Sequence, residues 1–106
     1  MKKRKFDVAF ARRAEIMLLS HASFIAQVSP NAARKLLADC QRRVNVIAGN
    51  PLQFPFADEL DIPNIPFETY RKCLFGNRYK IIFLFENNLV YIDTIIDSRQ
   101  ENKNLY

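Results

Sequence analysis

The sequence predicts an α+β domain in which two helices pack on one face of an antiparallel sheet. Three observations support this fold class. Hydrophobic residues first alternate, then repeat at helical spacing, and return to strand-like patterns after residue 67. A serine and a proline at positions 29 and 30 divide the helical region in two. The dipeptides Gly76-Asn77 and Asn87-Asn88 divide the last region into three strands.

The length of the chain limits the number of domains that it can form. With 106 residues, 49% of them hydrophobic, it is long enough for one compact domain and too short for two. We therefore expect a single domain over residues 1–106, with a looser polar tail from about residue 98. Its first element is a short strand over residues 5–10, because Phe6, Val8 and Phe10 alternate on one side.

Two amphipathic helices are predicted next, over residues 11–28 and 30–48. The apolar stripe of the first consists of Ala14, Leu18, Ala22 and Ile25. Ser29 and Pro30 start the second, because the serine hydroxyl can accept an unpaired backbone N–H and proline has none to lose. The stripe of the second consists of Ala33, Leu36 or Leu37, Cys40, Val44 and Ile47. The short joint between them predicts an antiparallel helical hairpin.

A proline-rich region separates these helices from the sheet. Residues 51–67 contain four of the five prolines and no sustained hydrophobic period, which predicts a surface loop. Three strands are predicted near residues 68–75, 78–86 and 89–97. Two-residue turns join them at Gly76-Asn77 and Asn87-Asn88, because glycine and asparagine tolerate positive φ. The predicted sheet is a three-stranded antiparallel meander.

These turns decide which side chains share a face of the sheet. If each dipeptide is the whole turn, Lys80 pairs with Cys73, Arg71 with Ile82, and Arg78 with Asp97. One face then holds Leu74, Tyr79, Ile81, Phe83, Phe85, Val90, Ile92 and Ile96, and packs on the helices. The other holds Arg71, Arg78, Lys80, Tyr91, Asp93 and Asp97, with Arg99 in the same parity; Lys72 lies at the edge. This basic face predicts a phosphate or carboxylate site, and an ordinary solvated face is the alternative.

Composition limits the possible partners and chemistry. A net charge of +5 favours an acidic partner, such as nucleic acid or an acidic protein. We expect no cofactor and no metal site, because the chain has one histidine and two distant cysteines, Cys40 and Cys73, which we interpret as reduced and buried. His21 is interpreted as a core residue, and the acidic residues of the loop as solvated. No phosphate loop or catalytic triad is visible, and no segment has the composition of a membrane span, so we expect a soluble cytoplasmic protein.

The stretch YRKCLFGNRYKIIFLFENNLVYIDTIIDSRQ resembles the RelE/ParE superfamily of toxins from type II toxin–antitoxin modules, the plasmid stabilisation family. In that family a Y-R-[K/x]…R-Y-[R/K]-I-x-[F/Y] hairpin precedes a V-x-[I/V]-x-x-[I/V]-x-x-R-[R/Q/D] strand. The resemblance covers the whole chain in architecture and residues 70–100 at motif level. It implies a toxin that arrests bacterial growth and forms a hetero-oligomer with a cognate antitoxin, often acidic, which would leave exposed apolar residues on the unbound toxin.

Members similar to RelE are ribosome-dependent ribonucleases that cut mRNA without a metal, through basic residues on the exposed sheet face. Position by position, the resemblance assigns catalytic roles to Arg71, Lys80 and Arg99, with Tyr106 as the counterpart of a C-terminal tyrosine. The usual lysine of the second strand is Cys73 here, and Tyr106 is one residue out of register, which disfavours efficient acid–base catalysis. Whether the chain is an enzyme stays open at this point.

Members similar to ParE are instead non-enzymatic inhibitors of DNA gyrase and have longer helices. The long predicted hairpin and the Arg99-Gln100 ending favour this branch slightly. For either branch, we expect the binding residues to be those of the predicted basic face: Arg71, Arg78, Lys80, Tyr91 and Arg99. A third hypothesis is a non-toxic basic module that uses the same sheet face to bind RNA or an acidic protein. No membrane partner is expected.

Overall fold

The order of helices and strands agrees with the predicted order. The structure, a computed structural model, describes residues 6–98. Its elements are β1 (Asp7–Phe10), α1 (Arg12–Ala26), α2 (Pro30–Gly49), a 3-10 turn (Pro51–Gln53), β2 (Arg71–Phe75), β3 (Tyr79–Glu86) and β4 (Leu89–Asp97). The predicted polar tail lies outside the described residues. Within residues 6–98, neither helix combines the length and the apolar character that crossing a membrane requires.

All four strands belong to one mixed sheet in the order β1-β4-β3-β2. The pairs β2–β3 and β3–β4 are antiparallel, as predicted, whereas β1 runs parallel to β4 at the edge. A parallel neighbour requires a long crossover connection, which the helices and later strands supply here. The hydrophobic core lies between this sheet and the α1–α2 hairpin. The predicted α+β class is confirmed.

The junction at Ser29 behaves as its chemistry predicts. The Ser29 hydroxyl accepts a hydrogen bond from the Ala32 N–H at 3.1 Å, and Pro30 is the first helical residue. The buried stripe of α2 is the predicted one, with Leu36 buried and Leu37 half-buried against the core. Cys40 and Cys73 are both free and buried, as predicted, and burial raises the pKa of the Cys40 thiol to about 11.

The first hairpin turn differs from the prediction. Phe75 pairs with Tyr79, so the connection contains three residues, Gly76 to Arg78, instead of two. Gly76 and Asn77 do have positive φ, at 61° and 66°. The longer turn places Phe75 and Tyr79 together on the buried face with their rings stacked, their centroids 5.4 Å apart. Burying two aromatic rings outweighs the preference for a shorter turn.

The second hairpin is correct at its turn and irregular further along. Asn87 and Asn88 form the predicted two-residue turn, with φ of 55° and 62°. A bulge at Asp93 then shifts the register, because Phe83 pairs with Ile92 while Ile82 pairs with Thr94. The predicted pairing of Ile82 with Asp93 is therefore wrong.

These two shifts exchange the faces of part of the sheet, since one residue of slip reverses every side chain beyond it. The helix-side face of β2, β3 and β4 contains Cys73, Phe75, Tyr79, Ile81, Phe83, Val90, Ile92 and Ile95. The predictions for Leu74, which is 53% exposed, and for Ile96 are wrong. Arg71 pairs with Phe83 and so has helix-side parity, whereas Lys80 pairs with Leu74 on the opposite face. The predicted single basic face with both cations is wrong.

Candidate functional site

Part of the sheet face opposite the helices is covered by the proline-rich segment, which we define as residues 55–66. Its start extends the sheet beyond β2: the Lys72 N–H donates to the Pro55 carbonyl at 3.0 Å, and the Ala57 N–H to the Tyr70 carbonyl at 2.8 Å. Ile82 lies on the covered face and is buried. The sequence predicted this loop. It did not predict that the loop lies over the sheet face that was assigned to the basic residues.

Asp61 of this segment binds the two lysines that share the covered face. Its Oδ2 lies 2.8 Å from Lys72 Nζ, and its Oδ1 lies 2.6 Å from Lys80 Nζ. The Asp58 N–H also donates to Oδ2 at 2.9 Å. Burial alone would raise the pKa of Asp61, but these hydrogen bonds outweigh it and lower the pKa to about 2. Asp61 is therefore an ionised carboxylate held between two ammonium groups.

This cluster corrects three sequence interpretations. Asp61 is 3% exposed and does not belong to a solvated loop. Lys72 is not at an unrelated edge position, because it shares a face with Lys80. The side chain of Lys80, expected on an open surface, is only 15% exposed. The three-residue turn of the first hairpin puts both lysines on one face of the sheet. Nothing in the sequence indicates that Asp61 lies over that face.

Arg71 lies at the outer edge of the sheet. Its Nη1 donates to the Phe54 carbonyl at 2.7 Å. Its guanidinium carbon lies 4.1 Å from the centroid of the Phe56 ring, which is a cation–π distance. Arg71 is thus held by Phe54 and Phe56, at the start of the proline-rich segment, and not by the Asp61 carboxylate that binds Lys72 and Lys80.

Arg78 lies at the other end of the hairpin. Its Nε and Nη2 bind Asp97 Oδ1 and Oδ2 at 3.3 and 2.5 Å, which raises the pKa of Arg78. The predicted pairing of Arg78 with Asp97 is wrong, because Asp97 pairs with Tyr79, although the two side chains do meet. The His21 ring lies 5.1 Å from the Tyr79 ring, and burial lowers the pKa of His21. Within residues 6–98, His21 Nε2 is buried without a hydrogen-bond partner.

The other predicted site residues are dispersed. Tyr91 pairs with Leu84 on the Lys80 side of the sheet and is partly exposed. Asp93 is buried, and Arg13 of α1 binds its carboxylate at 2.5 Å, which raises the pKa of Arg13. Arg99 and Tyr106 lie outside the described residues.

An apolar surface runs along the outer side of α1. It consists of Ile16, Leu19, Phe24 and Val28, all more than half exposed. No charged residue occurs from Ile16 to Ala33, so nothing charged interrupts this surface along the helix. Isolated apolar side chains on a surface are ordinary, but several large ones along one uncharged stretch make a candidate interaction surface.

The ion pairs of residues 6–98 are dispersed over the molecule. Within residues 6–98, no three side chains of the metal-ligating types converge. Arg13, Arg78 and Lys80 each lie beside a carboxylate of this chain, on separate parts of the surface. Such pairs hold the fold together and present charge, but they do not bring a base and an acid to one reacting atom.

Comparison with known proteins identifies a solved structure with a similar fold. No protein-family model matches the sequence, and no curated protein matches it. Among solved structures, a chain described as "Chromosomal ParDE TA system from P. aeruginosa" is similar, with a TM-score of 0.69. The match covers 89% of this chain and 97% of that chain, at 14% sequence identity. The predicted RelE/ParE-like fold is confirmed by this likeness.

Proposed function

We propose that this chain is the toxin of a type II toxin–antitoxin module in the bacterial cytoplasm, arrests growth by inhibiting DNA gyrase, and is neutralised by a cognate antitoxin. The observation that carries the proposal is the RelE/ParE-like fold over nearly the whole chain, shared with a chain of a ParDE system. The net charge of +5 supports an acidic antitoxin, since complementary charge speeds encounter and adds specificity.

The separation of Arg71 from Lys80 supports gyrase inhibition over mRNA cleavage. A ribonuclease of the RelE type would hold the scissile phosphate between cations on one face, where they offset its developing charge. Here Arg71 has helix-side parity and Lys80 lies on the other face. The proline-rich segment also covers Lys80. A protein that acts by binding has no need of such an arrangement.

Inducing the gene alone should arrest bacterial growth, and co-expressing a small neighbouring gene should restore it. After induction, DNA breaks with intact mRNA are expected if gyrase is the target. The measurements are growth curves, pulsed-field electrophoresis of chromosomal DNA and mapping of mRNA 5′ ends. Codon-linked mRNA cuts without DNA damage would overturn the gyrase proposal while retaining the toxin. Normal growth with soluble, folded protein would reject both and leave a non-toxic binding module.

One observation favours mRNA cleavage as the second candidate function. Lys72 and Lys80 share a face, and their ammonium groups meet at one carboxylate. If the proline-rich segment lifted, two cations would face a phosphate. Arg99 and Tyr106 would have to complete such a site, and both lie outside the described residues.

The binding contacts that we propose are Arg71, Arg78, Lys80, Tyr91 and Arg99. Removing one charge at a time should relieve growth arrest only where the residue contacts the target. Arg71→Ala and Arg78→Ala test the two ends of the hairpin, and Arg99→Ala tests the residue after β4. Each variant needs a thermal unfolding curve, because Arg71 and Arg78 also bind groups of this chain. Undiminished arrest by all three folded variants would reject Arg71, Arg78 and Arg99 as contacts.

The antitoxin is proposed to cover the apolar surface of α1. Phe24→Asp should weaken antitoxin binding at least tenfold, because the 72% exposed ring is lost and a negative charge faces an acidic partner. Leu60→Asp is the matched control, since Leu60 is 88% exposed but lies on the proline-rich segment. Isothermal titration calorimetry with the product of the neighbouring gene measures both. Equal loss of affinity in the two variants would contradict a specific role for α1.

A further inference from the structure

We propose that the loop between α2 and β2 carries a docking site for a cationic segment of a partner protein, in which lysines or arginines flank a large apolar side chain. The site is a cleft of about 600 Å³, lined by residues 56–60 and 65–68. The proline-rich segment supplies most of this lining, and Phe67 and Glu68 supply the rest. The volume lies in the range of about 300–1,000 Å³ that is typical of ligand clefts.

Large apolar side chains stand exposed around the cleft. Leu60 is 88% exposed and Phe67 is 86% exposed, and both line it. Phe56 and Ile65 also line it and are half-buried. Aromatic and aliphatic side chains grouped in this way are typical of the centre of a protein interface. Because Leu60 and Phe67 protrude, an occupant that covers them must extend past the cleft, as a chain segment does and a small ligand does not.

Acidic side chains surround these apolar residues. Asp58, Glu59 and Glu68 line the cleft and are exposed. Within residues 6–98, none of the three forms an ion pair with a basic side chain. Residues 44–70 contain no lysine, arginine or histidine, although the whole chain has a net charge of +5. The rim of the cleft is therefore a negatively charged part of a positively charged protein.

The charge of the rim determines the chemistry of the occupant. Carboxylates repel the phosphates of a nucleic acid or an anionic membrane, and they repel an acidic antitoxin. They attract lysine and arginine side chains, which speeds the encounter and orients a positively charged segment. The cleft and the apolar surface of α1 therefore suit different partners. This inference does not depend on the proposed toxin activity.

Contacts with the sheet fix the shape of the cleft. The Ala57 N–H donates to the Tyr70 carbonyl at 2.8 Å, which joins the two ends of the lining. Between them, the Asp61 carboxylate binds Lys72 and Lys80 at 2.8 and 2.6 Å. A site that is already formed loses less conformational entropy on binding than a loop that the partner must order.

Selection of short random peptides displayed on phage tests the chemistry of the occupant. Peptides selected on the folded, immobilised chain should be enriched in lysine and arginine around a large apolar residue. The double variant Leu60→Ser/Phe67→Ser should no longer select them. Leu52→Ser is the matched control, because Leu52 is also exposed but lies outside the cleft, and it should select the same peptides. Enrichment of acidic peptides alone, or no enrichment, would overturn the proposal.

Isothermal titration calorimetry with the most enriched cationic peptide separates the apolar and the charged contributions. Leu60→Ser/Phe67→Ser should weaken binding about tenfold or more, because the apolar centre of the contact is lost. Glu59→Gln/Glu68→Gln should weaken it about threefold and make it less sensitive to salt. Glu86→Gln, an exposed acid outside the cleft, should leave the affinity unchanged.

The substituted side chains are exposed, so these variants are expected to fold, and a thermal unfolding curve checks each one. Unchanged affinity in folded Leu60→Ser/Phe67→Ser would place the peptide elsewhere and overturn the site. Unchanged affinity and salt dependence in Glu59→Gln/Glu68→Gln would overturn the selection of a cationic partner by the rim. Growth arrest is not a readout of either measurement, so this proposal and the toxin proposal fail separately.

Discussion

Replacing Phe83 by alanine is expected to lower the free energy of unfolding by about 3–5 kcal/mol, the range for truncating a buried phenylalanine. Phe83 is fully buried at the centre of the sheet, and its ring meets the Phe54 ring edge-on, with centroids 5.8 Å apart. Its neighbour across the strands is Ile92, so truncation leaves a cavity that the rigid sheet cannot close. Small domains are stable by only about 5–15 kcal/mol, so this variant should approach the unfolded state.

Urea unfolding followed by circular dichroism measures this change. Phe24→Ala is the matched control, because the same side chain is removed from the exposed surface of α1. Its expected effect is within about 0.5 kcal/mol, as for other surface substitutions. Similar midpoints for the two variants would contradict the burial of Phe83 and the face assignment of β3.

Acid is expected to remove a contribution of about 2 kcal/mol that ionised Asp61 makes to stability. Burial opposes the ionised form, but hydrogen bonds from Lys72 and Lys80 lower the pKa of Asp61 from 3.8 to about 2 in the folded chain. Because the folded pKa is the lower one, the contribution is complete above about pH 4. It is lost as the pH falls towards 2, where the folded chain must also take up the proton.

Unfolding free energies measured from pH 5 to pH 2 test this expectation. The fall over this range should be smaller in Asp61→Asn, which has no proton to bind, and unchanged in Glu59→Gln. Asp61→Asn should also be less stable than the unaltered chain at pH 7, since it leaves two partly buried ammonium groups beside a neutral amide. An equally steep fall in Asp61→Asn would mean that the lysines do not lower the pKa of Asp61.

Local chemistry was enough to predict most elements and their order. The Ser29-Pro30 start of α2 depends on a hydroxyl and a ring within one turn of the helix, and Asn87-Asn88 depends on backbone φ alone. The buried stripe of α2 follows from helical spacing. Each of these signals acts within a few residues, so neighbouring sequence contains the whole cause.

The candidate site depended on information that local sequence does not contain. Gly76-Asn77 suits a two-residue turn, but burial of the Phe75 and Tyr79 rings selects three residues. The bulge at Asp93 coincides with its ion pair to Arg13, which is 80 positions away in the chain. The longer turn reversed the assignment of Arg71 relative to Lys80, and the bulge changed the faces of the β4 residues beyond Asp93.

By itself, the sequence determined the fold class, the order of elements, the helical hairpin and a toxin-like resemblance, because these depend on periodicity and short-range capping. Only the tertiary structure decided which face each cation occupies, that β1 runs parallel to β4, and that Asp61 lies between Lys72 and Lys80. The physical reason is that strand register responds to the total burial of distant side chains. A slip of one residue costs little locally and changes every contact beyond it.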